Sequence, residues 1–320
     1  MHSEQPAPAV KPEVAIPATT RLAAAFNALP LPRTSIDTRN TILLAGTPRS
    51  GTTWVGQILG AVNGYSLVNE PLGLKMPGVK RAGFSWTTHR EPDEDWPAGE
   101  AVLRRYFTGR GMTVKLLMRN RLGALVHHGL VVKEVKANRL LPWIVRRFAL
   151  RGTIHLIRHP CAVVSSQMAH FPVRDPCRAD NFRYLERHEP RLLEWAKRLR
   201  TDWEERALTW ALDQRVPLRA PEPRSWITVN YETLVLEGEA ELERIFEPLQ
   251  LTISPRVRAA LAQNSWQTRA QSLDHARATA AERLGVWRKR LSAEQISDIL
   301  EVCDRCGVRI YGEGDTPLAA

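Results

Sequence analysis

The stretch TILLAGTPRSGTTWVGQILG, residues 41–60, combines an apolar run, a loop bounded by glycines and a helix-like pattern. Thr41–Gly46 is short, apolar and ends in glycine, which is typical of a strand buried in a parallel sheet. Apolar residues recur with helical spacing from Trp54 onward, and Asn63-Gly64 supplies a helix-ending signal. Strand, tight loop and helix in this order open many nucleotide-binding folds.

The loop between this strand and this helix has the glycine spacing of a phosphate-binding loop. Gly46 and Gly51 match the two glycines of G-x-x-x-x-G-K-[ST]. Backbone N–H groups of such a loop, with the start of the following helix, form a pocket for an anion. Thr52 occupies the usual lysine position, and the cation of the loop is Arg49. The alternative is a tight glycine turn that binds no ligand.

A second anion-binding pattern, RHPCAVVSS at residues 158–166, follows the strand-like run Thr153–Ile157. Arg158 at the strand end and Ser166 two helical turns later can converge on one anion, because guanidinium offers a fork of donors. Metal-dependent nucleotide enzymes need a carboxylate near such a strand end. Arg158 in that place predicts neutralisation of the anion without a metal ion. The alternative is an arginine paired with a surface carboxylate.

Strand patterns alternate with helix patterns along the chain. Further strands are predicted at Leu130–Val135, Thr153–Ile157 and Trp226–Val229, with helices at about 138–150, 161–171, 191–214, 236–247, 254–263 and 292–306. This alternation predicts an α/β fold with three α/β/α layers, a central parallel sheet and a P-loop-like site. Residues 71–112 lack periodicity and are expected to face the substrate, within a partly helical acceptor-side region. We expect a leader without structure at 1–36, one domain at 37–312 and a flexible tail at 313–320.

The composition favours an anionic partner without choosing it. The formal net charge is +11, while the hydrophobic and charged fractions of 43% and 25% are ordinary for a globular protein. The four cysteines are too few for a disulfide framework, and no set of metal ligands is predicted; Cys303 and Cys306 are interpreted as structural. The absence of a long apolar run predicts no transmembrane segment, and the Pro/Ala-rich start does not resemble a secretory signal. A cytoplasmic location is therefore expected.

The glycine-bounded loop resembles one known family. Residues 47–54, TPRSGTTW, resemble the 5′-phosphosulfate loop P-[KR]-S-G-T-[ST]-[WL] of sulfotransferases that use 3′-phosphoadenosine 5′-phosphosulfate, PAPS. The resemblance implies that Arg49 neutralises charge near the bridging oxygen and that Thr52 and Thr53 contact the 5′-phosphate. It implies an aromatic contact of Trp54 near the adenine. The implied donor-binding residues of this loop are Arg49, Ser50, Gly51, Thr52, Thr53 and Trp54.

Three later segments extend the resemblance. The segment from Arg158 to Ser166 is similar to the 3′-phosphate motif R-x-P-x-x-x-x-x-S, with Ser165 as the neighbouring alternative to Ser166. The residues of this segment resemble the carbohydrate branch of the family most closely. Residues 229–234, VNYETL, resemble a segment that lines the donor pocket and implies a place for Tyr231 near the adenine. The segment LGVWR at 284–288 resembles a C-terminal G-x-W motif. Its usual upstream Arg-Lys-Gly reads Ala-Ala-Glu here, so Arg283 or Arg288 is a possible replacement.

Glu70, in the segment VNEPL, is the predicted general base. A helix that leads away from the loop and a strand that runs back would return Glu70 to the sheet edge that carries the loop. Pro71 is expected to hold Glu70 in an extended conformation. A carboxylate within hydrogen-bond reach of the acceptor suffices as a base. The placement resembles that of the catalytic glutamate in tyrosylprotein and several carbohydrate sulfotransferases. Cytosolic small-molecule sulfotransferases use a histidine instead, and His127 and His128 lie in no matching motif.

Lys133 interrupts an otherwise apolar strand pattern. A buried charge there is costly unless it faces a cleft, so a role near the sulfate or the acceptor is predicted. The resemblance to a lysine-bearing strand in the carbohydrate and tyrosylprotein branches implies the same. A lysine that extends along the sheet edge to solvent is the alternative.

Together these segments predict a sulfotransferase that moves the sulfuryl group of PAPS to a hydroxyl or amine, leaving 3′,5′-ADP, with no metal required. The acceptor is expected to be a small molecule or glycoconjugate, such as a sugar, a glycolipid or a glycosylated natural product, and no nucleic acid partner is expected. Two alternatives stay open. One is a P-loop small-molecule kinase, and the other is a non-catalytic protein that binds anions or nucleic acid.

Overall fold

The computed structural model describes residues 35–76, 78–111, 128–171, 176–263 and 284–318. Five parallel strands within these ranges form one sheet in the order β2-β3-β1-β4-β5. Their bounds are β1 Thr41–Gly46, β2 Tyr65–Asn69, β3 Gly129–Glu134, β4 Gly152–Ile157 and β5 Ile227–Asn230.

Helices cover both faces of this sheet. They are α1 Thr52–Gly60, α2 Pro97–Phe107, α3 Leu141–Arg147, α4 Pro160–His170, α5 Arg178–His188, α6 Pro190–Ala196, α7 Asp202–Leu218, α8 Tyr231–Glu237, α9 Glu239–Phe246, α10 Pro255–Ala262 and α11 Ala293–Arg305. Short 3-10 turns occur at Thr38–Asn40, Asn138–Leu140 and Gly285–Lys289.

The β1 strand shows why the sheet is covered on both sides. Leu43 and Ala45 pack into a core with α2 and α3, whereas Ile42 and Leu44 pack into another core with α1 and α9. Because successive side chains of a strand point to opposite faces, only a strand buried on both faces needs an unbroken apolar run. The three-layer α/β/α fold predicted from this run is therefore confirmed.

The strand order places one crevice beside β1. β1 lies between β3 and β4, so the strand order reverses beside it, with β2 and β3 on one side and β4 and β5 on the other. In open parallel sheets, ligands bind in the crevice outside the carboxyl ends of strands at such a reversal. Arg49 follows β1 and Arg158 follows β4, and the pairing of Gly46 with Leu156 brings these two strand ends together.

Several predicted boundaries were wrong. The helix expected at 191–214 is divided into α6 and α7, because Thr201 and Glu204 form a capping box that starts a new helix. The helix expected at 236–247 is divided at Gly238, whose φ of 58° ends α8. Elements not named from sequence include β2, α5 and, within the stretch called aperiodic, α2.

The structure describes the end of the expected leader and most of the expected tail. Residues 1–34 lie outside the described ranges. Ile36 is buried and its N–H donates to the Thr108 carbonyl oxygen at 3.1 Å. In the expected tail, the Leu318 N–H donates to the Ile310 carbonyl oxygen at 2.7 Å, and Pro317 forms a bridge with Tyr311. No helix among the described residues is long and apolar enough to span a membrane.

Cys303 and Cys306, which form a C-x-x-C pair, are buried in the core between α4, α7 and α11 and are not joined by a disulfide. Burial raises the pKa of the Cys306 thiol to about 12 and that of Cys303 well above its ordinary value. Such thiols stay protonated and unreactive, which agrees with a structural role.

Candidate functional site

A cavity of about 910 Å³ opens at the carboxyl ends of the strands. Its walls come from the loop after β1, the first turn of α1, the ends of β2 and β3, and α4. The 3-10 turn at Gly285–Lys289 closes another side. All of the predicted site residues except Ser50 line it. They are Arg49, Gly51, Thr52, Thr53, Trp54, Glu70, Lys133, Arg158, Ser166 and Tyr231, with the alternative Ser165.

The loop after β1 has the backbone of an anion-binding nest. Arg49 has a φ of 76° and Gly51 a φ of 92°, so left-handed residues alternate through the turn. The α1 helix begins directly afterward at Thr52. The first-turn amides of a helix have no intrahelical acceptors and attract negative charge. The loop and the helix start can therefore hold a phosphate or sulfate group.

Gly51 is required by space as well as by its φ. A Cβ atom on Gly51 would lie 2.4 Å from two carbon atoms of the Tyr231 ring. The close approach of ring and loop seats Tyr231 against the anion pocket. Trp54 meets the same ring edge-on, with 5.7 Å between the ring centroids.

Ser50 lies on the other side of the loop. Its side chain is 1% exposed, its hydroxyl has no hydrogen-bond partner among the described residues, and its N–H donates to the Thr47 carbonyl oxygen at 3.0 Å. The structure thus places Ser50 in the turn that shapes the loop and outside the cavity wall.

Side chains from other parts of the domain fix the loop in place. Gln214 Nε2 donates to Thr47 Oγ1 at 2.8 Å, and Gln167 Nε2 donates to the Pro48 carbonyl oxygen at 3.0 Å. Arg158 donates to the Arg49 carbonyl oxygen at 3.1 Å. Because consecutive loop residues are held separately, the pocket is formed in advance of any ligand.

Arg49 crosses from the loop to α4. Its Nε donates to Ser166 Oγ at 3.0 Å, and a terminal nitrogen lies 3.3 Å from His170 Nε2. Burial and the positive charges of Arg158 and Arg290 lower the pKa of the Arg49 guanidinium. Among the described residues, no carboxylate forms an ion pair with Arg49, and the nearby positive charges of Arg158 and Arg290 favour a bound anion.

Arg158 lies over the face of Tyr231, with its guanidinium carbon 4.5 Å from the ring centroid. This cation–π contact and the bond to the Arg49 carbonyl hold the guanidinium at the cavity. The two predicted ends of the nucleotide site, Arg49 and Arg158, therefore share one cavity wall.

The serines of α4 differ in their hydrogen bonding. Ser166 Oγ accepts the bond from Arg49, whereas Ser165 Oγ is buried and has no partner among the described residues. Both line the cavity. A buried hydroxyl without a partner is unfavourable, so Ser165 stays an alternative ligand for the anion.

Glu70 and Lys133 form an ion pair at the edge of the cavity. The strand register explains it, because Asn69 at the end of β2 pairs with Lys133 in β3 and Glu70 follows directly. Lys133 is 2% exposed and lines the cavity, and its stem lies near Gly56 of α1. The buried lysine therefore faces the cleft and not solvent at the sheet edge.

The predicted extended conformation of Glu70 was wrong. Its φ is 50°, in the left-handed region, while its N–H still donates to the Lys133 carbonyl oxygen at 2.7 Å. The chain thus completes the β2–β3 ladder and then turns sharply. Left-handed geometry at a residue other than glycine costs about 1–3 kcal/mol, and such strain concentrates at functional sites.

Near the C-terminal motif, the described arginine that lines the cavity is Arg290, and not the expected Arg283 or Arg288. Arg288 donates to the carboxylate of Asp315 at 3.0 Å and does not line the cavity, and Arg283 lies outside the described residues. Arg290 lines the cavity together with Trp287, whose ring stacks on His159 with centroids 4.6 Å apart. No motif in the sequence pointed to Arg290.

Sequence analysis also missed His170 and Gln167. His170 Nδ1 lies 2.7 Å from the Ser166 carbonyl oxygen, so this nitrogen carries the proton and Nε2 accepts from Arg49. The available signal was spacing, since His170 follows Ser166 by one helical turn. His127 and His128, which lie in no catalytic motif, add nothing to the described site. His128 does not line the cavity, and His127 lies outside the described residues.

A family model described as the sulfotransferase family matches residues 41–255. The chain therefore belongs to the sulfotransferase family, and it is a transferase enzyme, as the sequence motifs predicted. No curated protein sequence matches the chain.

Solved structures with similarity to the chain are also sulfotransferases. The sulfotransferase domain of the Synechococcus PCC 7002 olefin synthase is 17% identical, with a TM-score of 0.45, covering 85% of this chain and 96% of that chain. Mouse sulfotransferase SULT7A1 complexed with PAP is 13% identical, with a TM-score of 0.40, covering 89% of this chain and 87% of that chain. Sulfotransferase STF9 from Mycobacterium avium is 13% identical, with a TM-score of 0.42, covering 83% and 76% respectively.

Proposed function

We propose that this sulfotransferase uses PAPS as its donor and sulfates a hydroxyl or amine of a small molecule or glycoconjugate. The observation that carries the proposal is the meeting of Arg49, Ser166 and Arg158 in one cavity. A nucleotide with an anionic group at each end needs donors at two places. The loop with Arg49 would serve one end, and Arg158 with Ser166 would serve the other. PAPS would supply an activated sulfuryl group, and its two phosphate-bearing ends suit the two clusters.

Glu70 is proposed to accept the acceptor proton. During transfer, the acceptor oxygen or nitrogen bonds to sulfur while the bond from sulfur to the bridging oxygen breaks. The electron pair leaves with 3′,5′-ADP, and the acceptor proton goes to the Glu70 carboxylate. Arg49 would neutralise the departing oxygen, because donors aimed at developing charge are the largest catalytic contribution in many enzymes.

The Lys133 ammonium group is proposed to pair with the Glu70 carboxylate before the donor binds and with the sulfuryl group afterward. Its ammonium group pairs with Glu70 in the structure and lines the same cavity. A sulfuryl group placed beside it would compete for that ammonium and leave the Glu70 carboxylate to the acceptor proton. The pair would thus link donor binding to activation of the base.

The acceptor side carries features for a polar or anionic molecule with a flat ring. Trp86 lines the cavity and is 42% exposed, and the Lys136 ammonium lies 5.0 Å from its ring centroid. Arg206 and Phe171 line the same cavity. Aromatic rings beside cations favour a sugar or other ring that carries negative charge. A sugar, glycolipid or glycosylated natural product is therefore proposed.

The kinase alternative lacks a metal ligand in the usual place. β4 is followed by Arg158, and Glu134 at the end of β3 accepts bonds from backbone amides, including the Leu72 N–H at 2.7 Å, outside the cavity lining. A magnesium-dependent enzyme needs a carboxylate beside the phosphates. The described cavity is thus better suited to direct neutralisation by arginine.

Calorimetry separates the three functions. With EDTA present, 3′,5′-ADP should bind with 1:1 stoichiometry, and ATP with magnesium should bind far more weakly. Tight ATP binding only with magnesium would favour the kinase, and binding of nucleic acid without binding of 3′,5′-ADP would favour the non-catalytic alternative.

Transfer itself requires a second measurement. Labelled PAPS, a cell extract and the wild-type protein should yield labelled products, while Glu70→Gln should lose activity by a factor of about 10²–10⁴ and keep its affinity for 3′,5′-ADP. Equal transfer by both proteins would remove Glu70 as the base.

A further inference from the structure

Two histidines and a glutamate meet outside the lining of the cavity. His89 and Glu91 precede α2, and His188 is the last residue of α5. One ligand atom from each lies within 4.8 Å of the others. None of the three lines the cavity of the proposed sulfuryl transfer.

The hydrogen bonding of His89 leaves its second ring nitrogen facing a carboxylate oxygen. His89 Nδ1 lies 3.2 Å from the Arg139 carbonyl oxygen, which can only accept, so Nδ1 carries a proton. In a neutral imidazole, Nε2 then presents its lone pair, and this atom lies 3.3 Å from a Glu91 carboxylate oxygen. Two acceptors that face each other at this distance repel unless a proton or metal ion stands between them.

A second imidazole faces the same carboxylate oxygen, an arrangement that one shared metal ion would hold. His188 Nδ1 lies 3.3 Å from the same Glu91 oxygen, so two imidazoles converge on one carboxylate. Among the described residues, no lysine or arginine forms an ion pair with Glu91.

The two separations between an imidazole nitrogen and the Glu91 oxygen resemble those of ligands around zinc. Tetrahedral bond lengths of about 2.0–2.1 Å place neighbouring ligand atoms about 3.3 Å apart, which is the separation of each imidazole nitrogen from the Glu91 oxygen. Zinc-bound histidines commonly donate their second N–H to a backbone carbonyl, as His89 does to Arg139. Imidazole nitrogens favour zinc over magnesium or calcium.

We propose that His89, Glu91 and His188 bind one zinc ion, through His89 Nε2, His188 Nδ1 and the Glu91 carboxylate, with water as the remaining ligand. Tyr184 shields the site, since its ring centroid lies 5.0 Å from that of His89 and 4.7 Å from that of His188. The metal stands apart from the chemistry of transfer.

The site would join two walls of the acceptor cavity. Trp86 and Thr87 line the cavity just before His89, and Cys177 lines it just before α5, the helix that ends in His188. A zinc ion held between the two segments would limit their separation. It would therefore act as a structural clamp on the acceptor side.

Zinc binding to the full chain tests the proposal directly. After treatment with a chelator and its removal, calorimetric titration with zinc sulfate near neutral pH should show one ion per chain. Cobalt(II) in place of zinc should give the visible absorption typical of tetrahedral coordination, and magnesium should give no heat. Zinc should also slow the hydrogen exchange of amides in residues 85–96.

Three variants complete the test. Glu91→Gln and His188→Gln should each weaken zinc binding by at least about tenfold and abolish the change in hydrogen exchange. His128→Ala, which removes an exposed histidine elsewhere, should bind zinc like the wild type. Circular dichroism would establish that each variant is folded, and Glu91 is half-exposed, so its variant should fold. Absence of zinc binding by the wild type, or equal binding by Glu91→Gln, would overturn the proposal.

Discussion

Arg49 Nε donates to Ser166 Oγ at 3.0 Å, which joins the loop after β1 to the helix after β4. These residues are 117 positions apart in the chain, and the parallel pairing of β1 with β4 brings them together. Arg158 strengthens the same junction, because it donates to the Arg49 carbonyl oxygen. The consequence is a continuous wall of donors at the site of the proposed nucleotide.

The roles of the α4 serines can be separated by nucleotide selectivity. Ser166→Ala should weaken binding of 3′,5′-ADP by about 10–100-fold, since a hydrogen bond to a charged group contributes about 1.5–3 kcal/mol. Binding of adenosine 5′-monophosphate, which lacks the 3′-phosphate, should change little. Calorimetry with both nucleotides measures the difference. Ser165→Ala is the matched variant, and a larger selectivity loss there would transfer the role to Ser165.

Lys133 should affect the sulfuryl group and not the product nucleotide. Lys133→Met keeps the apolar stem beside Gly56 and removes the charge that pairs with Glu70. The transfer rate should fall by about 10²–10³, as for other donors that stabilise developing charge. The dissociation constant of 3′,5′-ADP should stay near the wild-type value, because this product lacks the sulfuryl group. A parallel loss of 3′,5′-ADP affinity would place Lys133 in nucleotide binding instead.

Gly51 should tolerate no side chain, for two reasons that can be tested apart. A Cβ there would meet both strain from the left-handed φ and the Tyr231 ring at 2.4 Å. Gly78 has a φ of 82° and nothing within 4 Å of its Cβ position, so Gly78→Ala measures backbone strain alone. That control should lose about 1 kcal/mol of unfolding free energy and keep its nucleotide affinity. Gly51→Ala should lose more stability and bind 3′,5′-ADP at least about tenfold more weakly.

The sequence predicted many of the residues that line the cavity but fewer of the contacts around them. Arg49, Arg158 and Glu70 were identifiable because motif spacing and the parallel β–α alternation place strand ends together. Arg290 and His170 were not, because their approach depends on how separate segments pack, which no local pattern records. The break between α6 and α7 was missed although Thr201 and Glu204 carry a helix-start signal, because apolar periodicity on both sides concealed it.

His155 should make the fold sensitive to acid. It is fully buried, its Nε2 donates to Gln214 Oε1 at 2.9 Å, and its Nδ1 has no described partner. Burial lowers its pKa from 6.5 to about 4. Protonation would create a buried N–H without an acceptor, so the unfolded state takes up the proton first. Above pH 6.5, His155 is neutral in both states and does not reduce the free energy of unfolding. As the pH falls from 6.5 toward 4, the free energy of unfolding decreases by up to about 3 kcal/mol.

Urea unfolding of the full chain from about pH 7 to about pH 4 checks this dependence. His155→Gln keeps a donor for Gln214 and cannot be protonated in this range. Its free energy of unfolding should decrease less steeply with acid than that of the wild type. His128→Ala, at an exposed position, should keep the wild-type slope. Identical slopes for His155→Gln and the wild type would show that His155 is not responsible, and His159, whose burial also lowers its pKa to about 4, would be tested next.

Trp86 should determine acceptor affinity without affecting the donor. Its ring is exposed in the cavity beside Lys136, at a ring-to-ammonium distance of 5.0 Å. Stacking on such a ring contributes about 0.5–1.5 kcal/mol, so Trp86→Ala should raise the KM for the acceptor by about 2–10-fold. The rate at saturating acceptor and the affinity for 3′,5′-ADP should be retained. Leu236→Ala is the control, since Leu236 is exposed and lies outside the cavity wall. An unchanged KM in Trp86→Ala, measured with an acceptor from the extract screen, would move the acceptor away from this ring.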